Sequence, residues 1–203
     1  MPNVSVKGQN VHYREWGNGN ITLFLLHGWP ADSSDYSRLG QLLAQSGYRV
    51  LVPDFPGWGK TPPPVSPWTV SDFRDWFHQF HEELQVKKFV LFGHSFGGRV
   101  AIKYAIKYPY EVQALILCAA AGIRPDPNTL KRRALKLTAA LGKKVLALPV
   151  ANKLAPLAKK VLYKAAGSND YLRAEGVMKE SIVKVLAEDL SPLLNFLLRS
   201  KSD

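Results

Sequence analysis

Apolar positions along the first 120 residues fall into short runs that alternate between period two and period three to four. Val4-Ser5-Val6 and Val11-His12-Tyr13-Arg14-Glu15-Trp16 alternate polar with apolar around Gly8-Gln9-Asn10, which predicts an antiparallel hairpin. Ile21-Thr22-Leu23-Phe24-Leu25-Leu26 is a nearly continuous apolar run, as expected of a central strand covered on both faces. From Ser33 to Ser46 the apolar residues Tyr36, Leu39, Leu42 and Leu43 keep helical spacing, and Gly47 closes the segment. Tyr48–Pro53 predicts a further strand, and the proline-rich stretch to Pro67 predicts a loop. Thr69 with Asp72 has the form of a capping box opening a helix whose face is Val70, Phe73, Trp76, Phe77, Phe80 and Leu84. Lys88 to Phe92 is a strand, Phe96 to Tyr108 a helix ending before Pro109, and Val112 to Ala119 a last strand.

Strand, helix, strand, helix, strand in this rhythm predicts an α/β fold, a mostly parallel sheet with helices on both faces. Ligands of such sheets sit beyond the carboxyl ends of the strands. Both His27-Gly28-Trp29 and Gly93-His94-Ser95 lie at such ends. After Arg124 the composition shifts to Leu, Ala and Lys at helical spacing, and helices are predicted over 130–148, 153–164 and 171–187. The expected organisation is therefore a core over 1–123 and a helical, cap-like region over 124–203.

Charge follows the same division. The net formal charge is +11. Residues up to Ile123 carry 11 Lys and Arg against 9 Asp and Glu; from Arg124 onward the balance is 16 against 7. The pairs and triplets Lys131-Arg132-Arg133, Lys143-Lys144 and Lys159-Lys160 come without an aromatic or nucleic-acid motif. They are read as a solvated helical face whose long stems cover apolar surface, so no specific nucleic-acid partner is expected. Cys118, the single cysteine, excludes an internal disulfide and lies in an apolar run, where a small buried hydrophobe is expected. No stretch approaches about twenty uninterrupted apolar residues, and the first residues lack a basic start and apolar core. A cytoplasmic location without membrane insertion is the expectation.

The candidate chemistry sits in Phe89-Val90-Leu91-Phe92-Gly93-His94-Ser95-Phe96-Gly97-Gly98. A buried-type strand runs into Gly-x-Ser-x-Gly and a helix follows at once, the order that a nucleophile elbow requires. Glycines flank the serine because a Cβ there would collide with the neighbouring strand or helix.

With His27-Gly28-Trp29-Pro30 after one strand and Asp54-Phe55-Pro56-Gly57-Trp58-Gly59-Lys60-Thr61 after the next, the chain resembles the α/β-hydrolase superfamily from Val4 to about Leu194. The resemblance implies that Ser95 is the nucleophile, that the backbone N–H groups of Trp29 and Phe96 form the oxyanion hole, and that His27, Gly28, Gly93 and Gly97 support the loops. It also implies a bracing role for His27, a side chain of His94 turned from the reacting atom, and a turn held by Asp54. The segment after Ala119 is similar to the family's cap. His12, His78 and His81 are expected to be ordinary surface or packing residues, the last two on an exposed helix. The His-Gly-x-Pro loop is also similar to that of haloalkane dehalogenases and epoxide hydrolases, which carry aspartate where Ser95 stands. That difference points instead to ester, thioester, amide or carbon–carbon acyl cleavage of a small substrate.

The family takes its acid and histidine from positions after the serine. The five histidines, His12, His27, His78, His81 and His94, all precede Ser95, and Asp126 has no histidine to orient. The expectation is a fold incomplete before the family's last two strands, with an exposed sheet edge at Val112–Ala119 that a partner chain or self-association would cover. A non-catalytic small-ligand-binding remnant and one subunit of a split hydrolase are the alternatives. No cofactor or metal is expected, since no metal cluster or phosphate-binding loop appears.

Overall fold

The computed structural model describes residues 2–123 and 174–199. Six strands form one mixed sheet: β1 (Asn3–Val6), β2 (Gln9–Trp16), β3 (Ile21–Leu26), β4 (Tyr48–Pro53), β5 (Phe89–His94) and β6 (Val112–Cys118), in the order β1-β2-β4-β3-β5-β6. β1 and β2 pair antiparallel, as do β2 and β4; the remaining pairs are parallel. The first hairpin turns tighter than the sequence suggests. Val6 pairs with Gln9, so Lys7 and Gly8 alone make the turn, both at positive φ (48° and 80°). That is the backbone of the two-residue turn whose twist matches the strands.

β3 lies at the centre and is buried on both faces. On one side Phe24 meets Phe77, Phe80 and Phe89 edge-on at centroid distances of 5.2, 6.1 and 4.8 Å. On the other, Leu23 and Leu25 pack with Val50 and Val52. The first of these layers belongs to α2 (Val70–Glu83), which begins in the expected capping box: Thr69 and Asp72 each bond the other's backbone N–H. Its apolar stripe Val70, Phe73, Trp76, Phe77 and Phe80 is buried as the spacing predicts.

α1 (Ser37–Gln45) is shorter than the predicted helix, a 3-10 turn taking Ser33–Tyr36. Its contact face also differs. Leu39 and Leu42 are exposed, while Gly40 is buried with the Trp16 ring so close that a Cβ would stand 2.4 Å from it. A large ring lying on a glycine brings that part of α1 against the sheet, leaving the leucines outside.

α3 (Phe96–Lys107) follows β5 directly and packs against β5 and α2. β6 is the last strand among the described residues and has no fully buried position; Ile116 is 46% exposed. Cys118 is exposed as well, contrary to the expected buried thiol, because among the described residues β6 pairs with β5 alone and no strand closes over its other side.

The described part of the C-terminal region is α4 (Gly176–Ala187) and α5 (Ser191–Arg199). The helix predicted over 171–187 thus begins at Gly176, and those over 130–148 and 153–164 lie outside the described residues. α4 does not group with the helical region as the 124–203 boundary has it. The compact units are 1–123 with 174–203, and 124–173. Hydrogen bonds explain the reassignment: Arg99 donates to the carbonyls of Val185 (2.8 Å) and Glu188 (3.1 Å), and Trp68 N–H donates to Ser181 Oγ (2.9 Å). Val70 N–H reaches Glu188 Oε1 (3.1 Å), Leu190 N–H reaches the Gly122 carbonyl (2.9 Å), and Lys103 pairs with Glu188.

Candidate active site

Ser95 is the single residue between β5 and α3, at φ 50° and ψ −110°. A side chain held at positive φ costs on the order of 1–3 kcal/mol and persists where surrounding contacts over-determine it. Here Ser95 N–H donates to the Cys118 carbonyl (3.1 Å), and the Ser95 carbonyl accepts from Gly98 (3.1 Å) and Ala121 (3.0 Å). The flanking glycines leave no alternative. A Cβ on Gly93 would lie 2.6 Å from the Gly97 carbonyl oxygen, and one on Gly97 would lie 2.2 Å from that of Leu26. The turn that the spacing predicts is thus enforced by backbone pressed on backbone.

The loop after β3 reaches the same place. Gly97 N–H donates to the His27 carbonyl (3.0 Å), and a Cβ on Gly28 would meet His94 Nδ1 at 3.0 Å and Ser95 Cβ at 3.4 Å. Trp29 and Phe96 are both buried and meet edge-on at 5.4 Å between ring centroids. Trp58 stands 4.0 Å from Trp29, and Phe55 stands 5.2 Å from Phe96. Ser95, Gly28, Trp29 and Phe96, remote in sequence, therefore converge beyond the carboxyl ends of β3 and β5, with aromatic rings excluding water beneath them.

His27 braces this loop. Its Nδ1–H donates to the Gly28 carbonyl (2.8 Å) and its Nε2 accepts from Phe55 N–H (2.9 Å), which requires a single neutral tautomer. Complete burial pushes its pKa below the usual value, against the opposing pull of the Gly28 carbonyl and Asp54. A ring with both nitrogens engaged takes no proton from a neighbour. Asp54 holds the next loop. Its carboxylate accepts from Ser33 N–H (2.7 Å), Lys60 N–H (2.9 Å) and His12 Nδ1 (2.7 Å). Burial alone would raise the Asp54 pKa, but these donors outweigh it and hold the carboxyl below its ordinary value. His12 is thus a buried partner of Asp54. His94 is half-buried against Gly28 and lines a cavity of about 320 Å³ with Asp35, Tyr36 and Phe92.

All five histidines lie among the described residues, and none hydrogen-bonds to Ser95 Oγ. His78 and His81 do not sit on an exposed helix face. His81 is buried and His78 is half-buried, and together with Tyr104 and Glu111 they form a polar cluster at the opposite end of the sheet. His-x-x-His was legible in the sequence; Glu111, thirty residues on, carried no signal.

Residues 21–185 match the α/β hydrolase fold family. The chain is 35% identical over 119 residues to 1-acylglycerol-3-phosphate O-acyltransferase of Arabidopsis thaliana, covering 54% of this chain and 27% of that protein. It is 32% identical over 121 residues to the 2-hydroxy-6-oxononadienedioate/2-hydroxy-6-oxononatrienedioate hydrolase of Escherichia coli K12, covering 57% and 42%. Among solved structures it is similar to a putative lipase from Acinetobacter baumannii, with a TM-score of 0.59 and 29% identity over 66% of this chain and 46% of that one. The chain spans less than half the length of these relatives. No helix among the described residues is long and apolar enough to cross a membrane.

Proposed function

Because this chain belongs to the α/β-hydrolase fold family, we propose that it carries the nucleophile and oxyanion half of a serine hydrolase acting on a small acyl substrate. The observation that carries this reading is the positive φ of Ser95 at the junction of β5 and α3. Ser95 Oγ attacks the acyl carbon, a C–O bond forms, and the hydroxyl proton passes to a base. Charge builds on the former carbonyl oxygen, where the backbone N–H groups of Trp29 and Phe96 receive it, each contributing about 2.7–4 kcal/mol. The N-terminal dipole of α3 acts in the same sense. The leaving group departs with a proton, and water then cleaves the acyl-serine.

The base is a histidine from outside these 203 residues. His27 is committed to Gly28 and Phe55, His12 to Asp54, and His78 and His81 to the other end of the sheet, while His94 packs against Gly28 without a hydrogen bond to Ser95 Oγ. The names of the relatives cover acyl transfer, lipase action and hydrolysis of a 2-hydroxy-6-oxo diacid. They support an acyl substrate without choosing among ester, thioester, amide and carbon–carbon bonds.

Chemical rescue tests the reading. The purified chain is mixed with p-nitrophenyl acetate, with and without imidazole, and Ser95→Ala subtracts the background. The expected result is no Ser95-dependent burst alone, and acetylation of Ser95, seen by mass spectrometry, when imidazole is present. A burst without imidazole would overturn the external base. Absence of Ser95 acetylation at every imidazole concentration would favour the second reading, a non-catalytic small-ligand-binding protein.

A further inference from the structure

At the amino ends of β5 and β6, four side chains from three elements converge. His78 and His81 come from α2, Tyr104 from α3, and Glu111 from the turn entering β6. His78 Nδ1 and His81 Nε2 are 3.1 Å apart, and Glu111 Oε2 is 3.6 Å from the first and 3.3 Å from the second. Four ligands bound at 2.0–2.1 Å in a tetrahedron lie about 3.3–3.4 Å from one another. The three atoms already hold nearly that triangle.

The hydrogens are as informative as the distances. His81 Nδ1–H donates to the Val86 carbonyl (2.9 Å), so Nε2 presents a lone pair to the cluster. His78 Nε2 faces Glu82 Oε1 at 3.5 Å, which favours the hydrogen there and leaves Nδ1 as a second inward lone pair. Glu111 supplies a third acceptor. One hydroxyl hydrogen, on Tyr104, serves all three, and it goes to Glu111. The outer hydrogen bond of His81 to a carbonyl, with a carboxylate facing the outer nitrogen of His78, is also the kind of arrangement that orients histidines for a metal.

We propose that His78, His81 and Glu111 bind one Zn²⁺ ion, which clamps α2 to the turn before β6. Two imidazoles and one carboxylate suit a borderline cation better than Ca²⁺ or Mg²⁺. The fourth position belongs to water from the adjoining cavity of about 650 Å³, which His81 and Glu111 share with Glu82, Tyr110 and the two lysines Lys87 and Lys88. The Tyr104 hydroxyl stands within hydrogen-bond reach of all three atoms, so it is not a ligand and swings aside when the ion enters. Six residues of β5 separate this site from Ser95, about 20 Å, so the ion fastens the fold and takes no part in acyl chemistry.

The test uses the full 203-residue chain, stripped with chelator and titrated with Zn²⁺ by calorimetry; Co²⁺ serves as an optical probe. One ion per chain is expected, with the visible bands of four-coordinate Co²⁺. Glu111→Gln and His78→Gln each weaken Zn²⁺ binding at least tenfold, while Tyr104→Phe changes it less than threefold. Circular dichroism of the chelated variants confirms that they fold. A wild-type chain that takes up no Zn²⁺, or equal uptake by Glu111→Gln and His78→Gln, would overturn the site. Loss of more than tenfold in Tyr104→Phe would overturn the assignment of its three ligands.

Discussion

The two ends of β5 are built on opposite principles. At the carboxyl end the geometry is made by backbone: Gly93, Gly97 and Gly98 let chain segments touch, and Ser95 is forced to positive φ. At the amino end it is made by side chains, His78, His81, Tyr104 and Glu111, carried on ordinary helical or turn backbone. A site made of backbone tolerates no added atom. A site made of side chains tolerates loss of one member, because the scaffold beneath it is already packed.

Substitutions on the two ends should therefore differ greatly in cost. Gly97→Val is expected to yield no folded protein, since its Cβ would stand 2.2 Å from the Leu26 oxygen and 2.5 Å from its carbon; circular dichroism and solubility report this. His78→Gln at the other end, compared in chelator, should retain a cooperative transition with a midpoint close to wild type. Equal damage from the two would break the comparison.

The next largest effect concerns the strands that join the ends. Leu91→Ala in β5, at a position with no exposure, should cost about 2–5 kcal/mol in urea unfolding. Ile116→Ala in β6, 46% exposed, should cost less than about 1.5 kcal/mol. Matching losses would mean that the β6 edge is covered in solution.

Ser95→Gly sharpens the backbone argument from the other side. Removing the Cβ from a positive-φ position should raise stability by about 1 kcal/mol while abolishing imidazole-dependent acylation. Denaturant midpoint and mass spectrometry read the two effects separately.

The smallest effect is electrostatic. The folded pKa of His27 lies below its unfolded value, chiefly through burial, so its contribution to stability is complete above about pH 6.5. It is lost as pH falls from there through the folded value. His81 acts in the same direction, so His27→Gln should flatten the decline in urea midpoint between pH 7.5 and 5 without removing it. An identical slope in the variant would mean that His27 is not buried neutral.

The same contrast explains what could be read in the sequence. The elbow was legible because its constraints are local: three glycines and a serine within six residues, between a strand and a helix. The central strand and the α2 face were legible because burial follows a period. Leu39 and Leu42 misled because Gly40 accepts the Trp16 ring, a contact across 24 residues that no periodicity encodes. Cys118 misled because an apolar run reads alike in an interior strand and an edge strand. The partition of α4 was hidden in contacts from Arg99 and Trp68, and the amino-end cluster in the pairing of α2 with Glu111.

The contact of Trp29 with Trp58, ring centroids 4.0 Å apart and 68° between planes, has an optical consequence. Two indoles so close and so inclined share their excited states, and their strong ultraviolet transitions split into a pair of circular dichroism bands of opposite sign. The amplitude of that couplet depends on the separation and angle of the rings. Trp29 carries one of the proposed oxyanion donors, so the couplet is a substrate-free gauge of whether that donor stands in place. Trp58→Phe would erase the signal and give its baseline.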